Sequence, residues 1–378
     1  MRHMSLLLAL LAGPFLSGAS STQFNQCANL DQPARALPAC SAVIRSNESP
    51  VARSSALTNR GVMYFRRGDL EHAMEDYNQA FTLDRKNTQA LVNRGLIYQL
   101  QMDYGQAIAE YNQAIMINPK YALAYSARGD AYLRQGDPEH AVPDYDQALK
   151  LDPKNSNVLV MRGEAWRIQD EFDHAIADYD AAIKLNPKFA AAYDDRGLAH
   201  TGKGDFDAAL KDFAQAISLD PNNTLAIHHR ADAYEAKGEH ARAIADYDGL
   251  IKLDPNDASL LVSRGSAYQA SGDDARALAD LDRAVMLDAN NASAYNNRGS
   301  IFAKKGDYER AIAEYSQSIR VEPNAPAYAN RGLAYLKTGK FELAVKDLDE
   351  AVKRDPTDAV AAFNRGVAKQ TLEGAVAR

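Results

Sequence analysis

An Arg-Gly pair that recurs every 34 residues limits what this chain can fold into more than any compositional total does. Read back from Arg298-Gly299, the arginine returns at Arg264, Arg230, Arg196, Arg162, Arg128, Arg94 and Arg60; read forward, it returns at Arg331, one residue early, and at Arg365. Glycine follows nine of these ten arginines, Ala231 being the exception. A chain of 378 residues would otherwise suggest two or three globular domains. A fixed period overrides that prior, because a repeat array grows by stacking units along one axis and not around separate cores.

With the glycine set as position 8, nine full units begin at Ser54, Thr88, Ala122, Ser156, Ala190, Thr224, Ala258, Ala292 and Ala325, the eighth being one residue short. Position 20 is alanine in all nine, from Ala73 to Ala344. Position 24 is aromatic in seven, with Leu281 and Leu348 the exceptions, and position 32 is proline in seven, with Arg85 and Ala289 the exceptions. Apolar residues at 4, 8 and 11, then at 20, 21, 24, 27 and 28, follow helical spacing on two successive segments. A Gly-Asp pair at 15 and 16, as in Gly136-Asp137, ends the first segment and caps the second. Each unit is expected to be a helical hairpin whose small residues at 8 and 20 let the helices approach. The aromatics at 11 and 24 fill the space between units.

These positions carry a resemblance. Gly at 8, aromatic at 11, Ala at 20, aromatic at 24, Ala at 27 and Pro at 32 resemble the tetratricopeptide repeat family over residues 54–358, with half a unit beyond. The resemblance implies an all-α fold, a right-handed superhelical solenoid of antiparallel helix hairpins. Two departures stand out: arginine at position 7, where the family usually has leucine, and Leu or Tyr at position 4 (Leu57, Tyr295), where it usually has tryptophan. A hairpin folded about position 15 brings position 7 opposite position 23, which is acidic in all nine units, from Asp76 to Asp347. A ladder of ion pairs is therefore expected. Each arginine meets the acid of its own unit, as Arg60 with Asp76, or that of the preceding one, as Arg94 with Asp76.

The two ends read differently. Arg2 and His3 precede an apolar run from Met4 to Leu16 and the small residues Ser17, Gly18 and Ala19, the pattern of a secretory signal cut after Ala19. The run has about 13 residues against the roughly 20 a spanning helix needs, and no later stretch is apolar enough to cross a membrane. An exported protein is expected, and resemblance to bacterial exported arrays implies the periplasm, with secretion the alternative. The only cysteines, Cys27 and Cys40, lie just past the cut, and an even count in an exported chain favours a disulfide over two small buried residues. Residues 20–53 keep a shadow of the repeat, with Ala36 at position 20 and the cysteines where aromatics stand elsewhere, so a degenerate, disulfide-stapled hairpin is expected to seal that end. Residues 359–378 read as a first helix without a second, a capping helix. Pro143, at position 22, is expected to bend its helix near Glu139.

The formal net charge of −7 argues against a general nucleic-acid binder. No catalytic constellation emerges, so no enzyme activity and no cofactor are expected. The Arg-Gly-Asp triplets at Arg67 and Arg128 fall at a helix turn and inside a helix, and Gly339-Lys340 lacks phosphate-loop spacing. The resemblance places a concave face at first-helix positions 2, 5, 6, 9, 12 and 13. In mid-array these positions include Asp130, Glu164, Asp194, Asp195, His228 and Asp232, an acidic groove expected to attract a basic segment of a protein or extended peptide. The family's clamp for C-terminal carboxylates needs Lys at 5 and Asn at 9, and neither occurs. An alternative is an accessory subunit that binds polysaccharide or a metal ion. For the latter, His228 and Asp232 share a helical face, with Asp194 or Asp195 from the neighbouring repeat, short of a recognised ligand motif; for the former, such grooves favour exposed aromatic platforms and position 12 offers only Phe65.

Overall fold

The computed structural model describes residues 22–376, and among these the regular elements are all helices. The signal segment expected at 1–19 lies outside the described residues. The chain opens with α1 (Thr22–Ala28) and α2 (Pro33–Arg45). Successive helix pairs follow: α3 (Pro50–Arg66) and α4 (Leu70–Leu83), α5 (Thr88–Leu100) and α6 (Tyr104–Ile117), α7 (Ala122–Arg134) and α8 (Pro138–Leu151), α9 (Ser156–Ile168) and α10 (Phe172–Leu185), α11 (Ala190–Gly202) and α12 (Phe206–Leu219). Next come α13 (Thr224–Ala236) and α14 (His240–Leu253), α15 (Ala258–Ala270) and α16 (Asp274–Leu287), α17 (Ala292–Lys304) and α18 (Tyr308–Val321), α19 (Ala325–Lys337) and α20 (Phe341–Arg354), with α21 (Ala359–Val376) last. The helices form two compact units, one ending at Gly204 with α11 and the other beginning at Asp205 with α12.

Local chemistry sets the helix ends. Asp69, Asp103, Asp137, Asp205, Asp273 and Asp307, all at position 16, accept the N–H three residues on and so cap the second helices. Such a cap is typically worth about 1 kcal/mol. The residue before them must turn left-handed to end the first helix. Gly136 does so at φ 83°, and where glycine is missing Met102 and Asp170 adopt the same region at φ 61° and 59°. The short eighth unit loses its residue from the connection between α18 and α19, which leaves both helices at full length. α8 runs through Pro143 without a break.

One expected boundary moves. α3 starts at Pro50, four residues before Ser54, so the division placed between residues 53 and 54 falls inside a helix. The cause is local: the Ser49 hydroxyl accepts the Ala52 N–H, and Pro50 occupies the first turn, where its missing donor costs nothing. Cys27 on α1 and Cys40 on α2 are joined by a disulfide, and both are fully buried.

The close approach within hairpins has a steric cause. A Cβ added to Gly61, Gly95, Gly129, Gly163 or Gly299 would stand 2.5–2.9 Å from a ring carbon of the tyrosine at position 24. The alanines at position 20 are wholly buried in every unit, from Ala73 to Ala344. In the first unit α3 approaches α5, α5 approaches α7, α7 approaches α9 and α9 approaches α11, and in the second α15 approaches α17, α17 approaches α19 and α19 approaches α21. First helices therefore form the closer-packed face of each unit.

The arginines serve both helices of a hairpin and its predecessor. Arg60, Arg128 and Arg162 grip Asp76, Asp144 and Asp178 through Nε and Nη2 at 2.5–2.8 Å, and Arg94 reaches Glu110 at 2.5 Å. Arg230, Arg264, Arg298 and Arg331 do the same to Asp246, Asp280, Glu314 and Asp347 at 2.6–2.9 Å. The acid is thus the arginine's own. The preceding unit contributes a different acceptor, at position 25, to Nη1: Asn78 for Arg94, Asn112 for Arg128, Asp146 for Arg162, Asp248 for Arg264, Asp282 for Arg298 and Ser316 for Arg331. Arg60 bonds Ser41 of α2 in the same manner, which places α2 in register with the later second helices. Asp76 is 2% exposed and Asp347 4%, so these are partly buried pairs that fix geometry more than they add net stability.

Candidate functional site

The six residues singled out from the sequence divide by depth. Asp130 on α7 is 2% exposed and Asp194 on α11 is fully buried, so neither offers a carboxylate to a ligand at the surface. Asp130 belongs to an internal network. Gln99 Nε2 and Arg134 Nε (2.8 Å) both donate to its Oδ2, and the Tyr111 hydroxyl donates to Gln99 Oε1 at 2.8 Å. Gln99 and Arg134 were not singled out as its partners, although Arg134 lies four residues on along the same helix, the spacing of a facing pair. Glu164 on α9 and Asp195 on α11 are half-buried.

In the second unit, α13 brings His228 and Asp232 together, with Nδ1 3.2 Å from Oδ2. The Tyr247 hydroxyl of α14 donates to Asp232 Oδ1 at 2.7 Å. Position 8 of this hairpin is Ala231, the one place where glycine does not lie beneath the ring. The hydrogen bond to Asp232 raises the His228 imidazole above its ordinary value despite partial burial. Burial pulls the Asp232 carboxyl up, but hydrogen bonds from His228 and Tyr247 outweigh it and hold the group below the usual carboxylate range. Burial, then Asp232, pushes the Tyr247 phenol well above its ordinary value. Glu235 is similarly matched by His240, Nδ1 to Oε1 3.0 Å. Asp232 and Glu235 each face an imidazole, and the field of Asp232 grows as His228 loses its proton.

Among the described residues, no group of three or more His, Cys, Asp or Glu side chains is placed to hold a metal ion. Phe65, the aromatic expected at an inner position, is 8% exposed and makes no platform. A shallow, open cleft at the turns of the second unit, lined by Tyr268, Ser271, Asp273 and Arg276 among others, contains none of the six residues. No described helix is long and apolar enough to cross a membrane.

Models of the tetratricopeptide repeat match residues 126–190, 195–258 and 325–358, and a model described as TPR repeat matches 61–101, 103–136, 265–306 and 299–339. The chain belongs to the tetratricopeptide repeat family. Its likeness to solved structures agrees. A tetratricopeptide repeat protein from Parabacteroides merdae ATCC 43184 is 25% identical with a TM-score of 0.51, covering 66% of this chain and 98% of its own. The Cut9–Hcn1 hetero-tetramer of the APC/C (15% identity, TM-score 0.51, covering 92% of this chain and 83% of its own) shares the fold. So does PilW, a type IV pilus biogenesis factor (22% identity, TM-score 0.51, covering 53% of this chain and 94% of its own). No curated protein matches at a significant level. Tetratricopeptide repeats generally mediate protein–protein interactions, and the family is generally non-catalytic scaffolding.

Proposed function

We propose that this tetratricopeptide repeat chain is an exported, non-catalytic scaffold that holds a basic, extended segment of another protein against the face made by its first helices. The observation that carries this reading is the recurrence of carboxylates at inner first-helix positions of each unit, Glu164 and Asp195 half-buried in the first and Asp232 exposed in the second, each unit taken by itself. Charges so placed speed encounter with a segment of opposite sign and orient it more than they tighten the final complex. Export is supported by the apolar run from Met4 to Leu16 and by the disulfide between Cys27 and Cys40.

Fluorescence anisotropy with a lysine-rich peptide and a glutamate-rich control tests the binding surface. The lysine peptide should bind in a salt-dependent manner. Its affinity should rise with pH as His228 loses its proton, and fall in the Glu164→Gln, Asp195→Asn, Asp232→Asn triple variant. Equal binding of both peptides, or an unchanged affinity in the variant, refutes the reading. Intact mass of the exported protein tests the signal, which predicts a chain beginning at Ser20.

A further inference from the structure

The connectors that lead from each second helix to the next first helix are basic in the first unit. Four of them follow one another, between α4 and α5, α6 and α7, α8 and α9, and α10 and α11. Because each hairpin is antiparallel, these connectors lie at one end of the packed helices and the turns lie at the other. They carry Arg85, Lys86, Lys120, Lys154 and Lys188 against two carboxylates, Asp84 and Asp152. All five cations are exposed. Among the described residues the four lysines have no ion-pair partner, and Arg85 stacks over the Phe81 ring at 5.0 Å. Asp84 is already engaged, accepting the Lys86 backbone N–H at 2.9 Å. One turn earlier on the second helices, position 29 adds the exposed Lys150 and Lys184, and Met116 at 76% exposure.

Lysines at the turns behave differently: Lys237, Lys304 and Lys340 reach Asp207, Asp274 and Glu309 at 2.7–3.0 Å. The connectors of the second unit, taken by themselves, reverse the sign. None of the five carries a lysine or arginine, and each carries at least one carboxylate, as Asp220 and Asp254 do. With a formal net charge of −7 for the whole chain, the basic edge is not a by-product of composition. Neighbouring connectors stand roughly 10 Å apart, the interaxial distance of packed helices, so the row extends over roughly 30 Å. That spacing is about one Debye length at 0.1 M salt, which leaves little repulsion between successive cations. We propose that this edge of the first unit rests on an anionic lipid surface as a peripheral contact. The ammonium groups take the lipid phosphates, and Met116 enters the headgroup boundary beside them. An acidic protein segment is the poorer occupant. It would leave Met116 in water, and the cations stand at helix ends, not along a groove that encloses a strand. No residue of this edge belongs to the acidic inner positions, so the inference goes beyond the proposed function and the two succeed or fail separately.

Co-sedimentation of the exported chain with vesicles tests the contact. Phosphatidylcholine vesicles with about one third phosphatidylglycerol should bind it at low salt, pure phosphatidylcholine should not, and added salt should release it. Replacing Lys86, Lys120, Lys154 and Lys188 together by glutamine should weaken partitioning by at least about a hundredfold. These side chains are exposed and unpaired, so the variant should fold, which circular dichroism checks. The same replacement of Lys203, Lys237, Lys304 and Lys340 removes equal charge from the turns and should cost no more than about threefold. Binding that does not depend on phosphatidylglycerol, or that survives the change at the connectors, overturns the proposal. So does tighter, equally lysine-dependent binding of soluble polyglutamate at matched charge, because the occupant would then be an acidic protein segment.

Discussion

Replacing Gly299 by alanine isolates the steric constraint behind the repeated glycine. The new Cβ would lie 2.7 Å from Tyr315 Cε1 and 2.8 Å from Cδ1. Carbon atoms sit comfortably at about 3.5–4.0 Å, so the ring or the helix must shift by roughly 0.7 Å or more. Tyr315 is 2% exposed, which leaves little room for that shift. Overpacking of this kind costs about 1–3 kcal/mol, offset by the ~1 kcal/mol by which alanine favours a helix over glycine. The net expectation is a loss of about 0–2 kcal/mol. Gly249, exposed in α14 with nothing within 4 Å of an added Cβ, supplies the control in the same unit. Gly249→Ala should stabilise by about 0.5–1 kcal/mol. Urea unfolding followed by circular dichroism, with hydrogen exchange to localise the effect, reads the difference. Tyr315→Leu should relieve part of the cost in the Gly299→Ala background, because at Gly265 the added Cβ would stand 3.1 Å from Leu281 Cγ. If both alanines stabilise equally, close approach is not what keeps glycine at this position.

Ala214 occupies the position-25 place before Arg230, where the comparable acceptor for Arg264 is Asp248. Ala214→Asp should add the absent rung and raise stability by about 0.2–1 kcal/mol in denaturant melts at low salt, less at high salt. The His228–Asp232 pair should give a pH-dependent contribution. The histidine's share is full below about 6.5 and is lost as pH rises through its elevated folded value. The aspartate's share is present above its unfolded value and is lost as pH falls through its depressed folded value. NMR titration of the His228 ring should find it above the ordinary value, and Asp232→Asn should return it toward that value. Replacing Cys27 and Cys40 by serine should destabilise α1 and α2 on the order of 3 kcal/mol, read as a lower melting temperature that added reductant no longer changes.

Hairpins, their turns and the pairing of position 7 with an acid at position 23 were legible because each rests on a residue type that recurs at a fixed position, whereas the choice between the acid of the same unit and that of the preceding one was left open by a period that supplies both. The second acceptor of the arginines was not legible. Position 25 holds Ser41, Asn78, Asp146 or Ser316 in different units and Ala214 in one, so what recurs in most units is a capacity to accept a hydrogen bond while the residue identity changes. The early start of α3 was hidden because Ser49 and Pro50 lie outside the repeat, although together they are a recognisable helix start. For the acidic face, periodicity identified which side of a helix a residue occupies but not its depth. Asp130 and Asp194 share helices with half-buried neighbours yet are themselves buried, Asp130 beneath Gln99 and Arg134. Tyr247 went unnoticed as the partner of Asp232 because its position otherwise reads as a packing ring.

Most rungs span 16 residues back to the preceding hairpin, but Arg331 bonds Ser316 across 15 and still grips Asp347 ahead of it. The joint between hairpins therefore tolerates a change of connector length without losing alignment, much as a toothed rack engages whatever spacer separates its sections. Whole modules could be spliced in or out of such a chain at these connectors, and the guanidinium would re-index each new neighbour.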